Sequence, residues 1–282
     1  GHLDNYIRLE KEGAPVKLVA VCDIDPEKFK GKFIPGNIDV GNNKYDFSKY
    51  HLYTDVDQML ENEELDYIDT PVPTYLHPEI AVKALNRGLN VLCEKPMALS
   101  SQLCAKMIDA AEKNGRKLMI AQCLRFWPAY EYLKECVDDG RYGSVISGFF
   151  FRGGAAPQWS YQDWYFDKNK SGGCLFDQHI HDVDTINWLF GKPKAVSTIA
   201  KNVIKGGGYD AVSTNYLFDD GKVISAQDDW TLNGDCGFEM RFRVNFEKAS
   251  LLYENGKFHV YPNGAKGFVP DIPADDGYYR EI

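Results

Sequence analysis

No stretch of this chain approaches the roughly 18 consecutive apolar residues that a membrane-spanning helix requires. The longest apolar runs, such as 145–151, are interrupted by Ser and Gly and read as strands. Basic charge is scarce: 32 Lys and Arg stand against 41 Asp and Glu, a net charge of −9 with a pI near 5.2. Nucleic-acid and anionic-membrane surfaces both need a basic footprint, so neither is expected as a partner. The seven cysteines include no C-x-x-C pair. Cys22, Cys93 and Cys123 lie within apolar runs, which points to reduced core thiols in a cytoplasmic setting and not to disulfides. No Cys/His cluster has ligand spacing, so no metal is expected. Internal repeats and low-complexity segments are also missing.

What is present is an ordinary globular composition, 44% hydrophobic and 26% charged, over 282 residues. That length suggests about two domains. As far as residue 122, helix and strand patterns alternate. Leu3, Tyr6 and Ile7 share a helix face, which Gly13 and Pro15 bring to an end. Residues 18–22, 67–70, 89–93 and 117–123 are continuous strand patterns. Helix patterns separate them at 56–60, at 78–87, and from Ser100 or Ser101 to 114–115. Apolar strands between helices predict a parallel sheet covered on both faces, a doubly wound α/β domain of Rossmann type over 1–124. Such a sheet opens with a strand and a glycine-rich turn. Here a helix comes almost at once, so we expect that strand to precede Gly1 and a helix to continue past Ile282.

Residues 125–282 read differently. A helix at 130–137 and a strand at 145–152 lead to a Trp- and Tyr-rich loop at 159–166, then to a helix at 175–189. Six strand patterns follow, at 195–200, 213–218, 222–228, 238–246, 250–253 and 257–261. Turn pairs Asp220-Gly221 and Asn255-Gly256 join some of them as antiparallel hairpins. The expected second domain is α/β with a mostly antiparallel open sheet.

Several residues could carry chemistry. Asp23 ends the second expected strand, about where an acidic residue hydrogen-bonds the adenosine ribose of NAD and repels the 2′-phosphate of NADP. A strand-end Asp capping a turn is an equal alternative. In the helix at 175–189, Phe176, Ile180, Val183, Ile186 and Phe190 fall on one apolar face. Asp177, His181, Asp184 and Trp188 fall on an adjacent stripe, with a carboxylate and an imidazole one turn apart. That stripe is either a site or a solvated polar face. His179 and His181 diverge by about 200° around a helix and so do not chelate together; His179 points at the apolar face as a core histidine. A Lys at the end of an apolar strand, Lys95, is costly unless something uses it.

The string DTPVPTYLHPEIAVKALNRGLNVLCEKPMALS, with Thr70-Pro71, His77 and Glu94-Lys95-Pro96, resembles the Gfo/Idh/MocA oxidoreductases. SGGCLFDQHIHDVDTINWLFG is similar to that family's second signature, a Gly-rich lead-in and Asp-x-x-x-His on a helix, and QCLRFWPAY to a weaker third segment. His179 departs from the family, where Gly is frequent. The resemblance implies an NAD-dependent oxidoreductase acting on a secondary alcohol of a sugar, polyol or inositol-like substrate. It implies cofactor contacts from Gly1, Asp23, Ile24, Thr70, Pro71, His77, Glu94 and Lys95. The catalytic residues would be Lys95, Asp177 and His181. Substrate contacts would come from Arg125, Trp164 and Tyr165, with Trp159 nearby. The family also implies a homodimer or homotetramer formed through the second domain's sheet. A redox-assisted glycosidase and a non-catalytic NAD-sensing regulator remain the alternatives.

Overall fold

A computed structural model of the chain describes residues 1–31, 45–254 and 256–273. The chain divides between Ala121 and Gln122 into two units.

In the first unit, α1 (His2–Lys11) leads to β1 (Ala20–Cys22), which pairs in parallel with β2 (His51–Tyr53). α2 (Val56–Asn62) starts where the Asp55 carboxylate accepts the N–H groups of Asp57 and Gln58, a normal helix cap. β3 (Tyr67–Thr70), β4 (Asn90–Glu94) and β5 (Leu118–Ala121) form a second parallel sheet, connected by α3 (His77–Asn86) and α4 (Ser101–Asn114). Of the two serine candidates, Ser100 is the cap of α4, accepting the Leu103 N–H. Ala81, Ala84 and Leu85 of α3 and Met107 of α4 are buried with Val91 and Cys93 of β4. Among the described residues β1 pairs only with β2, and β3 only with β4.

Two details depart from the sequence reading. β2 was not anticipated: two of its three side chains are exposed, so it carries no apolar run and is held by its ladder to β1. The strand expected to reach residue 123 stops at Ala121, because Cys123–Phe126 turns into a short 3-10 helix ahead of Pro128.

In the second unit, α5 (Pro128–Asp139) precedes β6 (Val145–Gly153). After α6 (Cys174–Asp177) and α7 (His179–Phe190) come β7 (Ala195–Lys201), β8 (Ala211–Leu217), β9 (Val223–Asp229), β10 (Glu239–Phe246), β11 (Ala249–Glu254) and β12 (Lys257–Pro262). The seven-stranded sheet runs β12-β11-β10-β6-β9-β8-β7. Only β6 and β9 are parallel; every other neighbouring pair is antiparallel. Of the expected turn pair at 255–256, Asn255 lies outside the described residues. Alternation along the strands aims Phe150, Ile224, Phe242, Val244 and Leu251 at α5 and α7, which supply Tyr130, Leu133, Ile186 and Leu189. Burying a side chain the size of Phe242 contributes about 1.5–3 kcal/mol. Its ring lies 5.1 Å from Tyr130 and 5.4 Å from Tyr253.

The helix expected at 175–189 is two helices. Gln178 ends α6 and caps α7 with φ −101° and ψ −49°. Its buried side chain is spent on tertiary partners, so the junction is set by the fold and not by helical periodicity. The expected apolar face is also displaced. Of Phe176, Ile180, Val183, Ile186 and Phe190, only Ile186 is fully buried. The face of α7 that meets the sheet is His179, Asp182, Thr185, Ile186 and Leu189. Three of these five are polar, and the sheet offers partners to His179 and Asp182.

The Gly-rich lead-in to α6 has a steric reason. Gly173 runs beside the 207–209 loop and bridges Tyr209. A Cβ on Gly208 would sit 2.2 Å from the Gly172 carbonyl oxygen, and one on Gly173 2.8 Å from the Gly208 Cα. Backbone meets backbone here, and nothing flexible can yield. Gly208→Ala is expected to cost about 1–3 kcal/mol through forced separation of the two segments. A drop in thermal midpoint relative to wild type measures it.

Candidate active site

The carboxyl ends of β3 and β4 carry a charged group in the first unit. Asp69 in β3 and Glu94 in β4 are bridged by the imidazole of His2, at the start of α1. Nδ1 lies 2.6 Å from Asp69 Oδ2 and Nε2 2.9 Å from Glu94 Oε1. Burial disfavours charge on His2, but the two carboxylate hydrogen bonds outweigh it and push its pKa up to about 10. Burial likewise works against charge on Glu94, yet the bond to His2 holds that carboxyl below its usual range. The other Glu94 oxygen accepts the Lys95 backbone N–H at 2.9 Å. The strand end that delivers Lys95 is therefore clamped by an imidazolium between two carboxylates. The Lys95–Pro96 peptide is cis.

Two residues expected to touch a cofactor, Thr70 and His77, have their side-chain polar atoms engaged within the protein. Thr70 is buried and donates its hydroxyl to the Leu92 carbonyl at 3.1 Å. His77 is buried between the carbonyls of Pro96 and Val72, each 2.8 Å from a ring nitrogen. Burial holds its pKa below the ordinary imidazole value. Both shape the loops after β3 and β4; His77 ties one loop to the other. Pro71 and Ile24 are exposed, Ile24 at 69%. Asp23 follows β1, with one oxygen 2.7 Å from Lys28 Nζ and the other accepting the Asp25 N–H at 2.9 Å. Gly1 caps α1.

In the second unit α7 is pinned to the inner sheet face by polar contacts. Arg152 of β6 and Asp228 of β9 are register partners. The Arg152 guanidinium donates to Asp182 at 2.9 Å and to the Tyr130 hydroxyl at 3.1 Å. Burial opposes the Arg152 charge, but Asp182 more than compensates and raises its pKa well above normal. His179 reaches Asp228 at 2.5 Å through Nδ1 and Thr214 at 3.0 Å through Nε2. Burial, then the Asp182 charge, pushes the Asp228 pKa up. His179 is thus a satisfied core residue, and His181 lies on another side of α7. Among the described residues no three His, Cys, Asp or Glu are grouped to hold a metal.

These pins leave Asp177 and His181 half-buried on either side of the helix junction, with the His181 N–H donating to the Gln178 carbonyl at 3.1 Å. Gln178 donates to the Arg152 carbonyl at 2.9 Å and accepts from Trp230 Nε1 at 3.1 Å. The Arg125 guanidinium is held by both oxygens of Asp184, at 2.8 and 2.7 Å. One edge of its fork is therefore already committed. The 3-10 segment Tyr161–Phe166 stacks Trp164 on Tyr165 with ring centres 4.1 Å apart. Gln162 and Asp163 just before them adopt left-handed φ values of 52° and 50°, which is costly for residues with a Cβ. The structure places Asp177 and His181 on either side of the helix junction in one unit, and Lys95 in the other, with its backbone N–H on Glu94.

Residues 2–122 match the oxidoreductase family with an NAD-binding Rossmann fold, and residues 130–252 match the GFO/IDH/MocA C-terminal domain. The chain belongs to the Gfo/Idh/MocA oxidoreductases. Among relatives, 2,7-anhydro-N-acetylneuraminate hydratase of Mediterraneibacter gnavus is 32% identical over 201 residues, 71% of this chain and 50% of that protein. Levoglucosan dehydrogenase of Pseudarthrobacter phenanthrenivorans is 30% identical over 167 residues, 55% and 42% of the two chains. This Gfo/Idh/MocA chain thus spans half or less of these relatives' length. The WlbA dehydrogenase of Bordetella pertussis, solved with NADH and UDP-GlcNAcA, shares the fold with a TM-score of 0.80 at 20% identity, over 100% of this chain and 80% of that one.

Within this Gfo/Idh/MocA chain, sequence reasoning missed His2, Asp69, Arg152, Gln178, Asp182, Asp228 and Trp230. A signal existed for Asp228 and Arg152: both sit at inward positions of alternating strands, after Ile224 and Ala226 and after Phe150. The His2 clamp makes a pH prediction. A folded pKa of about 10 against an unfolded value near 6.5 means stability that is complete below about pH 6.5 and lost as pH rises through 10. Urea unfolding should show wild type losing up to about 1.4 kcal/mol per pH unit across that window relative to His2→Asn. Parallel pH dependence of the two proteins would contradict the clamp.

Proposed function

We propose that this protein oxidises a secondary hydroxyl of a sugar or polyol, with NAD as hydride acceptor. The observation that carries the reading is Glu94-Lys95-Pro96 at the carboxyl end of a parallel strand in an NAD-binding Rossmann fold. Ligands of such sheets bind beyond the carboxyl ends of the strands. Those ends present Asp23, Thr70-Pro71 and Glu94-Lys95, a donor and acceptor set that fits a dinucleotide. The nicotinamide, when bound, supplies the hydride chemistry. Asp23 would hold the adenosine ribose, and the clamped β4 end would hold Lys95 for the reacting oxygen. The Lys95 ammonium would donate a hydrogen bond to the substrate oxygen and stabilise negative charge as its proton leaves. His181 offers an imidazole to accept that proton. Asp177 would orient the substrate or support a charged His181. Trp164 and Tyr165 offer ring faces for the sugar, and the Arg125 edge not held by Asp184 a polar contact.

A panel of sugars and polyols, including the compounds for which the two relatives are named, assayed for NADH formation with the full-length protein, tests this reading. Lys95→Ala should fold and bind NAD yet lose about 10²-fold or more in kcat. His181→Ala should do the same and flatten the acidic limb of the pH–rate profile. A Lys95→Ala enzyme with near-normal kcat would overturn the assignment.

NAD is the preferred form in this proposal because Asp23 meets the site of the NADP 2′-phosphate. Lys28 neutralises part of that carboxylate, so the preference should be moderate. Asp23→Ser is expected to lower the NAD:NADP ratio of kcat/KM, read from paired kinetics; an unchanged ratio would remove Asp23 from the site.

The hydratase relative favours one second reading. Transient oxidation of a hydroxyl acidifies the neighbouring C–H, permits elimination or addition of water, and allows the hydride to return. Product formation without net NADH would identify that course, and a released aglycone the related glycosidase. Retention of Lys95, Asp177 and His181 speaks against a purely sensing role. For assembly, Leu217 and Val223 are exposed and alternate with core-facing positions, and Ile199 is exposed on the neighbouring strand β7. We propose that a second copy covers this outer sheet face in a homodimer or homotetramer.

A further inference from the structure

The aromatic segment and the acid–base pair are joined by an unbroken set of contacts within the second unit. Trp164 stacks on Tyr165 at 4.1 Å, with the ring planes 28° apart. Tyr165 meets the Trp230 ring edge-on at 5.9 Å and 83°. Trp230 is buried and donates Nε1–H to Gln178 Oε1 at 3.1 Å. Gln178 is the one residue between α6 and α7, with Asp177 immediately before it and His181 bonded to its carbonyl. Its amide nitrogen is tied to the Arg152 carbonyl at 2.9 Å. The Trp230 backbone is fixed too, donating to the Asp210 carbonyl at 2.8 Å. Nothing in this set is a long flexible side chain.

We propose that Gln178 and Trp230 are positioning residues that set the Asp177–His181 pair against the Trp164–Tyr165 ring pair. The proposal rests on the functional reading above, in which those rings receive the sugar. A buried glutamine with both ends engaged has one orientation, because reversing the amide would set donor against donor and acceptor against acceptor. The indole N–H therefore decides where Gln178 sits, and Gln178 decides where one helix stops and the next begins. A sugar seated on the rings presses on Trp230, whose N–H direction is the hinge register of the junction. Alignment of reacting groups is worth much in rate: a displacement of about 1 Å costs on the order of 10²-fold.

Trp230→Phe keeps a ring against Tyr165 and removes the N–H together with part of the buried indole. Gln178→Met removes the same hydrogen bond from the other side. Two measurements on the full-length protein read the result. In the first, the imidazole signal of His181 is followed by NMR on histidine-labelled protein, assigned with His181→Gln, and needs no substrate. Its titration should shift in both variants. In the second, with any sugar that wild type turns over, kcat should fall by about 10-fold in each variant with KM for NAD unchanged. Gln178→Met also cuts the bond to the Arg152 carbonyl, so the double variant should be no worse than Gln178→Met alone. A folded Trp230→Phe protein with an unmoved His181 titration and unchanged kcat would overturn the proposal. Additive losses in the double variant would do so as well. If Trp230→Phe does not fold, Gln178→Met carries the same readouts. Wild type inactive on every sugar would overturn the functional reading while the His181 titration still decides the link.

Discussion

The second unit depends on one buried interaction: the Arg152 guanidinium against Asp182. It carries β6 in the middle of the sheet to α7 above it. Burying two charges is expensive, and attraction alone often fails to recover the cost. Here the arginine has a second acceptor in Tyr130, and the neighbouring His179–Asp228 contact ties α7 to β9 as well. The return on the expense is direction. Apolar ridges let a helix roll or slide by fractions of a turn, whereas a guanidinium and an imidazole each accept one geometry. The face of α7 that carries His181 outward follows from the face that is pinned inward.

The first unit solves the parallel problem with a histidine. Strand ends in a parallel sheet expose carboxyl-terminal dipoles and whatever charges follow them. Asp69 and Glu94, adjacent at such an end, would repel each other. His2 places a cation between them and fixes the Glu94 side chain that in turn receives the Lys95 N–H. His77 then holds the turn after Lys95 from the other side. The lysine is presented by a frame of four side chains, none of which is apolar.

The elements themselves were largely legible. β3 coincides with the strand expected at 67–70, halted by Pro71, and β4 is offset by one residue from the strand expected at 89–93, where buried Val91, Leu92 and Cys93 form an unbroken apolar string. The six later strands fell within two residues of their observed starts, guided by alternation and turn pairs. What stayed hidden was tertiary. β2 has no pattern of its own, since its stability comes from a neighbour. The break at Gln178 is invisible to helical periodicity, because a glutamine fits a helix well and is withdrawn from it only by Trp230 and the Arg152 carbonyl. Asp177 and His181 were visible through spacing, but His2 and Asp69, 67 positions apart, share no local signal. His77 and Thr70 were visible, but the carbonyl partners that their side chains hold in the neighbouring loops were not.

The parallel pairing of β6 with β9 has a consequence for synthesis. β6 contains Phe149, Phe150 and Phe151, and both of its neighbours, β9 and β10, are encoded far downstream. As the chain leaves the ribosome, that strand must wait for all of residues 154–222 before its first partner exists. At about 5–20 residues per second this is a delay of several seconds. During it the most aromatic strand of the sheet has two open edges. Such a segment is what holdase chaperones bind, and the central strand is the last place where the sheet can close. Yield during production of this protein is therefore governed by how β6 is sheltered while the α7 segment and the later strands are still being made.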